Sequence, residues 1–231
     1  QLMNALLMPT SGEIKIMNER LTRKTKLKPI RNKIGLVFQF PEYQIFETTV
    51  LKDIAFGPVN FGVENPEEKA RETAKLMGIE ELLDRSPFTL SGGQLRKVAI
   101  SGILASNPDI LILDEPTVGL DPSGKRDLLD ILVNLRRERN KTIIIITHDM
   151  EVVSRYFERV IVLKDGEIIY DGEKDDLLKK EDLYEKYSLD YPETIKLLRA
   201  IRKRFGVAID VNQYTIEDAY QQIRKAFETG L

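Results

Sequence analysis

The residues best suited to chemistry are few, and each stands at the end of an element. Leu113-Asp114-Glu115-Pro116 places two carboxylates directly after the apolar run Ile110–Leu113. Open α/β sheets bind their ligands at the carboxyl ends of strands. There Asp114 would hold Mg2+ through oxygen, and Glu115 would orient and polarise an attacking water in phosphoryl transfer. Two acidic residues capping the next turn account for this tetrapeptide equally well. Leu90-Ser91-Gly92-Gly93-Gln94 offers two glycines that let the backbone approach a phosphate. They open a helix whose free N–H groups attract anions, and Ser91 would cap that helix or donate to a γ-phosphate. Gln39 ends a buried strand, where its carbonyl oxygen suits Mg2+; taken alone it is more simply a polar strand terminator. His148, the only histidine, follows Ile143–Ile146 and precedes Asp149. An imidazole there would bond a γ-phosphate or a catalytic carboxylate, although a lone histidine is more often structural. Gly119-Leu120-Asp121 brings another carboxylate, either toward a neighbouring subunit or as a simple turn before a helix at Ser123.

The elements that must position these groups are legible in the pattern. Ile34–Phe38 reads as a buried strand, and Ile110–Leu113 and Ile143–Ile146 are continuous apolar runs, as expected for central parallel strands covered on both faces. Ser123–Arg139 between the last two predicts a helix and hence a βαβ unit. Residues 50–105 are helical in tendency, with Thr48 or Thr49 as a cap, and Pro66 near the first turn of a helix that Gly78 ends. Residues 2–8 read as a helix end stopped by Pro9, 13–18 as a half-exposed strand, and 20–31 as a basic loop. Asp165-Gly166 joins two strands as a two-residue hairpin. Beyond it, 192–204 and 215–227 carry apolar residues at helical spacing, predicting a small helical appendage over 181–231 behind a main domain over 1–180.

Composition removes whole classes. Of 231 residues, 42% are hydrophobic and 31% charged, which excludes a disordered acidic tail or a collagen-like fibre. Lys and Arg total 35 against 37 for Asp and Glu, a net charge of −2 that argues against nucleic acid as a partner. The absence of cysteine removes disulfides, thiolate metal sites and cysteine nucleophiles. Apolar runs such as Ile143–Ile146 fall far short of the roughly 18 residues of a membrane span.

Taken together and in this order, Gln39, Ser91-Gly92-Gly93-Gln94, Asp114-Glu115, Asp121 and His148 resemble the nucleotide-binding subunit of ATP-binding cassette (ABC) transporters. The resemblance implies an α/β, P-loop NTPase-like fold with a mostly parallel sheet and a helical subdomain over 48–105. In that family the five elements are the Q-loop, the signature loop, the Walker B strand with its catalytic Glu, the D-loop and the switch histidine. The implied cofactors are ATP and Mg2+. Glu115 and His148 would be catalytic; Gln39, Ser91, Gly92, Gly93, Gln94 and Asp121 would meet nucleotide; Asp114 and Gln39 would hold Mg2+.

Phe38-Gln39-Phe40-Pro41-Glu42-Tyr43-Gln44, Phe46 and Ala55-Phe56-Gly57-Pro58 further resemble the ATPases of energy-coupling factor transporters. So does the stretch from Tyr191-Pro192-Glu193 through Leu198, Arg202, Lys203, Phe205 and Gly206. These systems import vitamins or transition-metal ions such as cobalt. The implied partners are a second ATPase subunit, paired with the help of the appendage, a transmembrane coupling subunit and a substrate-binding membrane subunit. Phe40, Tyr43, Ile45 and Phe46 are the expected docking surface, on the cytoplasmic face of the membrane. One departure stands out. The only Gly-Lys is Gly124-Lys125, followed by Arg126, so G-x-x-x-x-G-K-[ST] is not found. The chain is expected to begin just past that motif, to bind ATP poorly at its own site, and to complete a partner's site through Ser91, Gly92 and Gly93. A non-hydrolysing accessory subunit and an ATPase of another importer family are the alternatives.

Overall fold

Polar residues around Met17-Asn18 build a short hairpin. Lys15–Ile16 (β1) pairs antiparallel with Glu19–Arg20 (β2), and both turn residues have positive φ, 50° and 67°, as a tight two-residue turn requires. The computed structural model describes residues 1–187 and 189–228, without the side chains of residues 41, 42, 181, 182 and 185. Residues 2–8 form only one 3-10 turn, Leu2–Asn4, closed by Ala5 with φ 57°. No side chain caps its amides, and a lone uncapped turn is a poor nucleus for a helix. The basic stretch expected as a loop contains Leu27–Lys33 (α1). Ile30 drives this helix by packing with Ile34, Leu36 and Ile112 in a small core, which offsets the poor propensity of a segment containing Pro29.

Ile34–Val37 (β3) is buried at every residue. It is followed by a helical block of Val50–Phe61 (α2), Pro66–Leu76 (α3) and Gly92–Leu104 (α4). Thr49 caps α2 by accepting from the Lys52 amide. Gly57 lets α2 approach α4. A Cβ there would lie 2.9 Å from the Gly102 carbonyl oxygen and 2.7 Å from Ser106 Oγ.

Ile110–Asp114 (β4) forms the centre of a parallel sheet with order β3–β4–β5, where β5 is Thr142–Ile146. Pro122–Arg139 (α5) connects β4 to β5 and buries Leu128, Leu129, Leu132 and Leu135. Leu111 and Leu113 join Ile54, Met77, Ile100 and Leu132 in the main core. β5 departs from the expectation of full cover. It occupies an edge of the three-stranded sheet, its middle residues are half-buried, and Thr142 and Ile146 are exposed.

The chain divides into two compact units, Gln1–Ile146 and Thr147–Leu231. This division falls well ahead of residue 181, the expected start of the appendage. Within the second unit, Met150–Tyr156 (α6) is followed by the antiparallel hairpin of Arg159–Lys164 (β6) and Glu167–Glu173 (β7). Asp165 and Gly166 turn it with φ 52° and 83°. Lys174–Leu178 (α7) packs on that hairpin and on α6. Glu181–Tyr187 (α8), Glu193–Phe205 (α9) and Ile216–Glu228 (α10) complete the unit. Tyr184 stacks on Tyr191 with centroids 3.9 Å apart, and the Arg199 guanidinium lies over the Tyr191 ring at 4.0 Å.

Candidate functional site

The parallel sheet brings two of the expected groups to one end. Val37 stands opposite Leu113, so Gln39 and Asp114-Glu115 leave neighbouring strands on the same side, about 5 Å apart from strand to strand. Gln39 is exposed, and Asp114 and Glu115 are half-buried. Glu115 has φ +45°, a left-handed conformation unusual for a side chain with a Cβ. Its amide donates to the Ile146 carbonyl at 2.9 Å, which pins the strained peptide. Such strain costs about 1–3 kcal/mol and gathers at active sites.

Ser91 is the N-cap of α4 in a reciprocal box. The Gln94 amide donates to Ser91 Oγ at 3.4 Å, and the Ser91 amide donates to Gln94 Oε1 at 3.0 Å. Accepting leaves the Ser91 hydroxyl proton able to donate elsewhere. A Cβ on Gly92 would meet nothing within 4 Å, so the first turn of α4 lies open to an anion. One on Gly93 would come within 3.3 Å of Leu120 Cδ2, so that turn touches the segment leading to Asp121. Asp121 caps α5, with Oδ1 accepting from the Gly124 amide at 3.3 Å. Gly124-Lys125 therefore sits in the first turn of α5.

His148 belongs to the second unit, where it is exposed between two bonded neighbours. The Asp149 amide donates to Thr147 Oγ1 at 3.1 Å, and Asp149 Oδ1 accepts from the Glu151 and Val152 amides at 2.9 and 3.2 Å, capping α6.

One expected surface residue is corrected. Phe40, Tyr43 and Phe46 are exposed, Tyr43 at 85%, but Ile45 is only 7% exposed. The 3-10 turn Pro41–Gln44 rotates Ile45 inward, where it joins the core of Val50 and Ile54. The side chain of Glu42 lies outside the described residues. Phe46 packs edge-on against Phe56 at 4.6 Å. The Phe46 and Glu47 amides donate to Asp53 Oδ1 at 3.0 and 3.1 Å. Phe38, Gln44, Gly57, Phe61 and Ser106 line part of a cavity of about 240 Å3 beside this turn. Arg96 escapes a motif search, yet its guanidinium bonds the loops around Gln39 and Glu115. The available signal is a charged residue in helical register with buried Ala99 and Ile100. Among the described residues no helix is long and apolar enough to cross a membrane, and no cluster of three or more His, Cys, Asp and Glu is arranged as a metal site.

The ABC transporter family profile matches residues 1–118. The chain belongs to the ABC transporter ATPase family. It is 49% identical to the energy-coupling factor transporter ATP-binding protein EcfA2 of Bacillus subtilis, covering 99% of this chain and 85% of that protein. It is 46% identical to the EcfA2 protein of Geobacillus kaustophilus, over 98% and 80%. Among solved structures it is similar to cbiO1 from Clostridium perfringens, part of the ABC transporter complex cbiONQ. The TM-score is 0.69 at 36% identity, over 89% of this chain and 78% of that one. The dimeric bacterial cassette MJ0796 matches at TM-score 0.66 and 35% identity, over 74% and 77%. The chain is thus an ABC ATPase of the energy-coupling factor type, the ATP-binding subunit of a transporter, and its α/β fold is that of the ABC cassettes.

Proposed function

We propose that this ABC ATPase energises uptake of a vitamin or a transition-metal ion through a membrane partner, working as one of a pair at the cytoplasmic face. The observation that carries the reading is the joint placement of Gln39 and Asp114-Glu115 at one end of β3 and β4. Relatives carry the reading from ATPase to transporter: the neighbour cbiO1 is part of cbiONQ, and MJ0796 is dimeric.

In this reading ATP lies between two subunits. Ser91, Gly92, Gly93 and Gln94 meet the partner's nucleotide. The open first turn of α4 supplies N–H groups and Ser91 a hydroxyl donor to phosphate oxygens, while Gln94 Oε1 is held in the capping box. The chain's own nucleotide is served by Gln39, Glu115 and His148, with Asp121 reaching toward the partner. Asp114 and Gln39 fit Mg2+, which takes oxygen ligands and keeps several from water and phosphate. When bound, the ion neutralises charge on the transferring phosphoryl group. Glu115 accepts a proton from the attacking water and orients it, and His148 donates a hydrogen bond to the γ-phosphate.

Phe40, Tyr43 and Phe46, beside the 240 Å3 cavity, are the surface for the transmembrane coupling subunit, with a separate membrane subunit holding the cargo. Residues 181–231 serve as the pairing appendage. On α10 Ala219, Ile223 and Ala226 pack inward, while Ile216, Tyr220 and Phe227 face out. That exposed apolar set favours a partner over solvent. The test is Glu115→Gln in the assembled ATPase pair. The amide cannot take the proton, so turnover should fall about 100-fold or more with ATP binding retained. Unchanged turnover would remove Glu115 from the mechanism.

A further inference from the structure

Arg96 joins segments that lie far apart in sequence. It sits on α4, five residues past Ser91, at 6% exposure. Nη1 donates to the Pro116 carbonyl at 3.1 Å and also to the Val118 carbonyl, and Nη2 donates to the Gln39 carbonyl at 3.1 Å. The loop holding Pro116 and Val118 runs from Glu115 to Asp121. One rigid guanidinium therefore fixes the spacing between the end of β3 and the loop after β4. Burying a charge is costly unless its donors meet acceptors, so moving any one of these carbonyls is resisted. One turn earlier on the same helix, Gly93 lies against Leu120 of the same loop.

We propose that Arg96 is a positioning residue that links the two half-sites carried by one subunit. It ties the signature turn, which meets the partner's nucleotide, to the loops bearing Gln39 and Glu115, which act on the chain's own. Seating a nucleotide against Ser91–Gln94 shifts α4, and the guanidinium carries that shift to the hydrolytic groups of the other site. The inference rests on the paired-ATPase reading and adds a connection between its two sites.

The test uses mixed pairs in which one subunit carries Arg96→Met and its partner does not. Adding Glu115→Gln to one subunit or the other silences one site at a time, so each site's turnover is read alone. Arg96→Met should lower kcat about tenfold to a hundredfold at both sites, as expected for misplaced catalytic groups, with KM for ATP within about threefold. Arg96→Lys should fail to restore kcat, because one ammonium lacks the fork that spans both loops. A loss confined to one site overturns the link, as does full turnover in Arg96→Lys. Should Arg96→Met fail to assemble, Arg96→Lys carries the test by itself: reduced kcat at both sites with an unchanged melting temperature supports the link, and wild-type kcat overturns it. A pair with Arg96 intact whose turnover survives Glu115→Gln in both subunits strikes the underlying ATPase reading instead.

Discussion

Asp53 is nearly buried beneath the turn that carries Phe46, and both amides of that turn donate to the same oxygen, Oδ1. Burial raises its pKa above the usual carboxylate value, and the two amide bonds only partly oppose that. A raised folded-state pKa means the folded chain holds the proton more tightly than the unfolded one. This carboxyl therefore favours folding fully below its unfolded pKa near 3.8, and that contribution is lost as pH rises through the folded value. Asn keeps an oxygen for both amides and carries no charge to bury. Asp53→Asn should therefore stay within about 1 kcal/mol of the wild type at pH 7, or exceed it, and lose this pH dependence. Asp53→Leu strands two amides and should cost about 2–4 kcal/mol. Denaturant melts between pH 4 and pH 7 measure both. The place of Asp114-Glu115 at a strand end and the capping role of Ser91 are legible in the sequence, because acidic pairs after apolar runs and Ser before Gly-Gly follow local rules. The positive φ of Glu115 and the reach of Arg96 are not, since both depend on loops that meet only once the sheet forms.

Among the elements, the contact between α2 and α4 depends on Gly57. In Gly57→Ala the new methyl would press on the Gly102 carbonyl, which is backbone and yields poorly. The expected cost is about 1–3 kcal/mol, read as a lowered denaturation midpoint. Strands β3, β4 and β5, helix α5 and the Asp165-Gly166 hairpin could be predicted because their periodicity and turn residues agree with the tertiary result; 13–18, expected as one strand, instead turns at Met17-Asn18 into the β1–β2 hairpin. Helix α1 could not. Its segment is basic, uncapped and interrupted by Pro29, and only the burial of Ile30 beneath β3 makes it helical. Ile45 shows the converse. It lies in an aromatic, surface-like stretch, and one 3-10 turn carries it inward while its neighbours stay out.

Across the whole molecule, pairing should respond to the outward face of α10. Tyr220→Glu combined with Phe227→Glu removes two apolar side chains, each contributing about 1.5–3 kcal/mol when buried. Neither points into the core formed by Leu198, Ile209 and Val211. The dissociation constant of the ATPase pair should rise at least about tenfold by sedimentation, with the circular dichroism spectrum unchanged. If the constant does not move, the appendage has no part in pairing.

The outer edge of β5 pairs with no described strand. In a ladder each residue points its amide to one side, and its neighbour points to the other. In deuterated buffer, the five residues Thr142–Ile146 should therefore write two clocks into one strand. Amides bonded to β4 should exchange only when the sheet opens, and the intervening ones much sooner. A strand arriving from any source would silence the fast clock and leave the slow one unchanged, so this one edge can report on whatever comes to lie beside it.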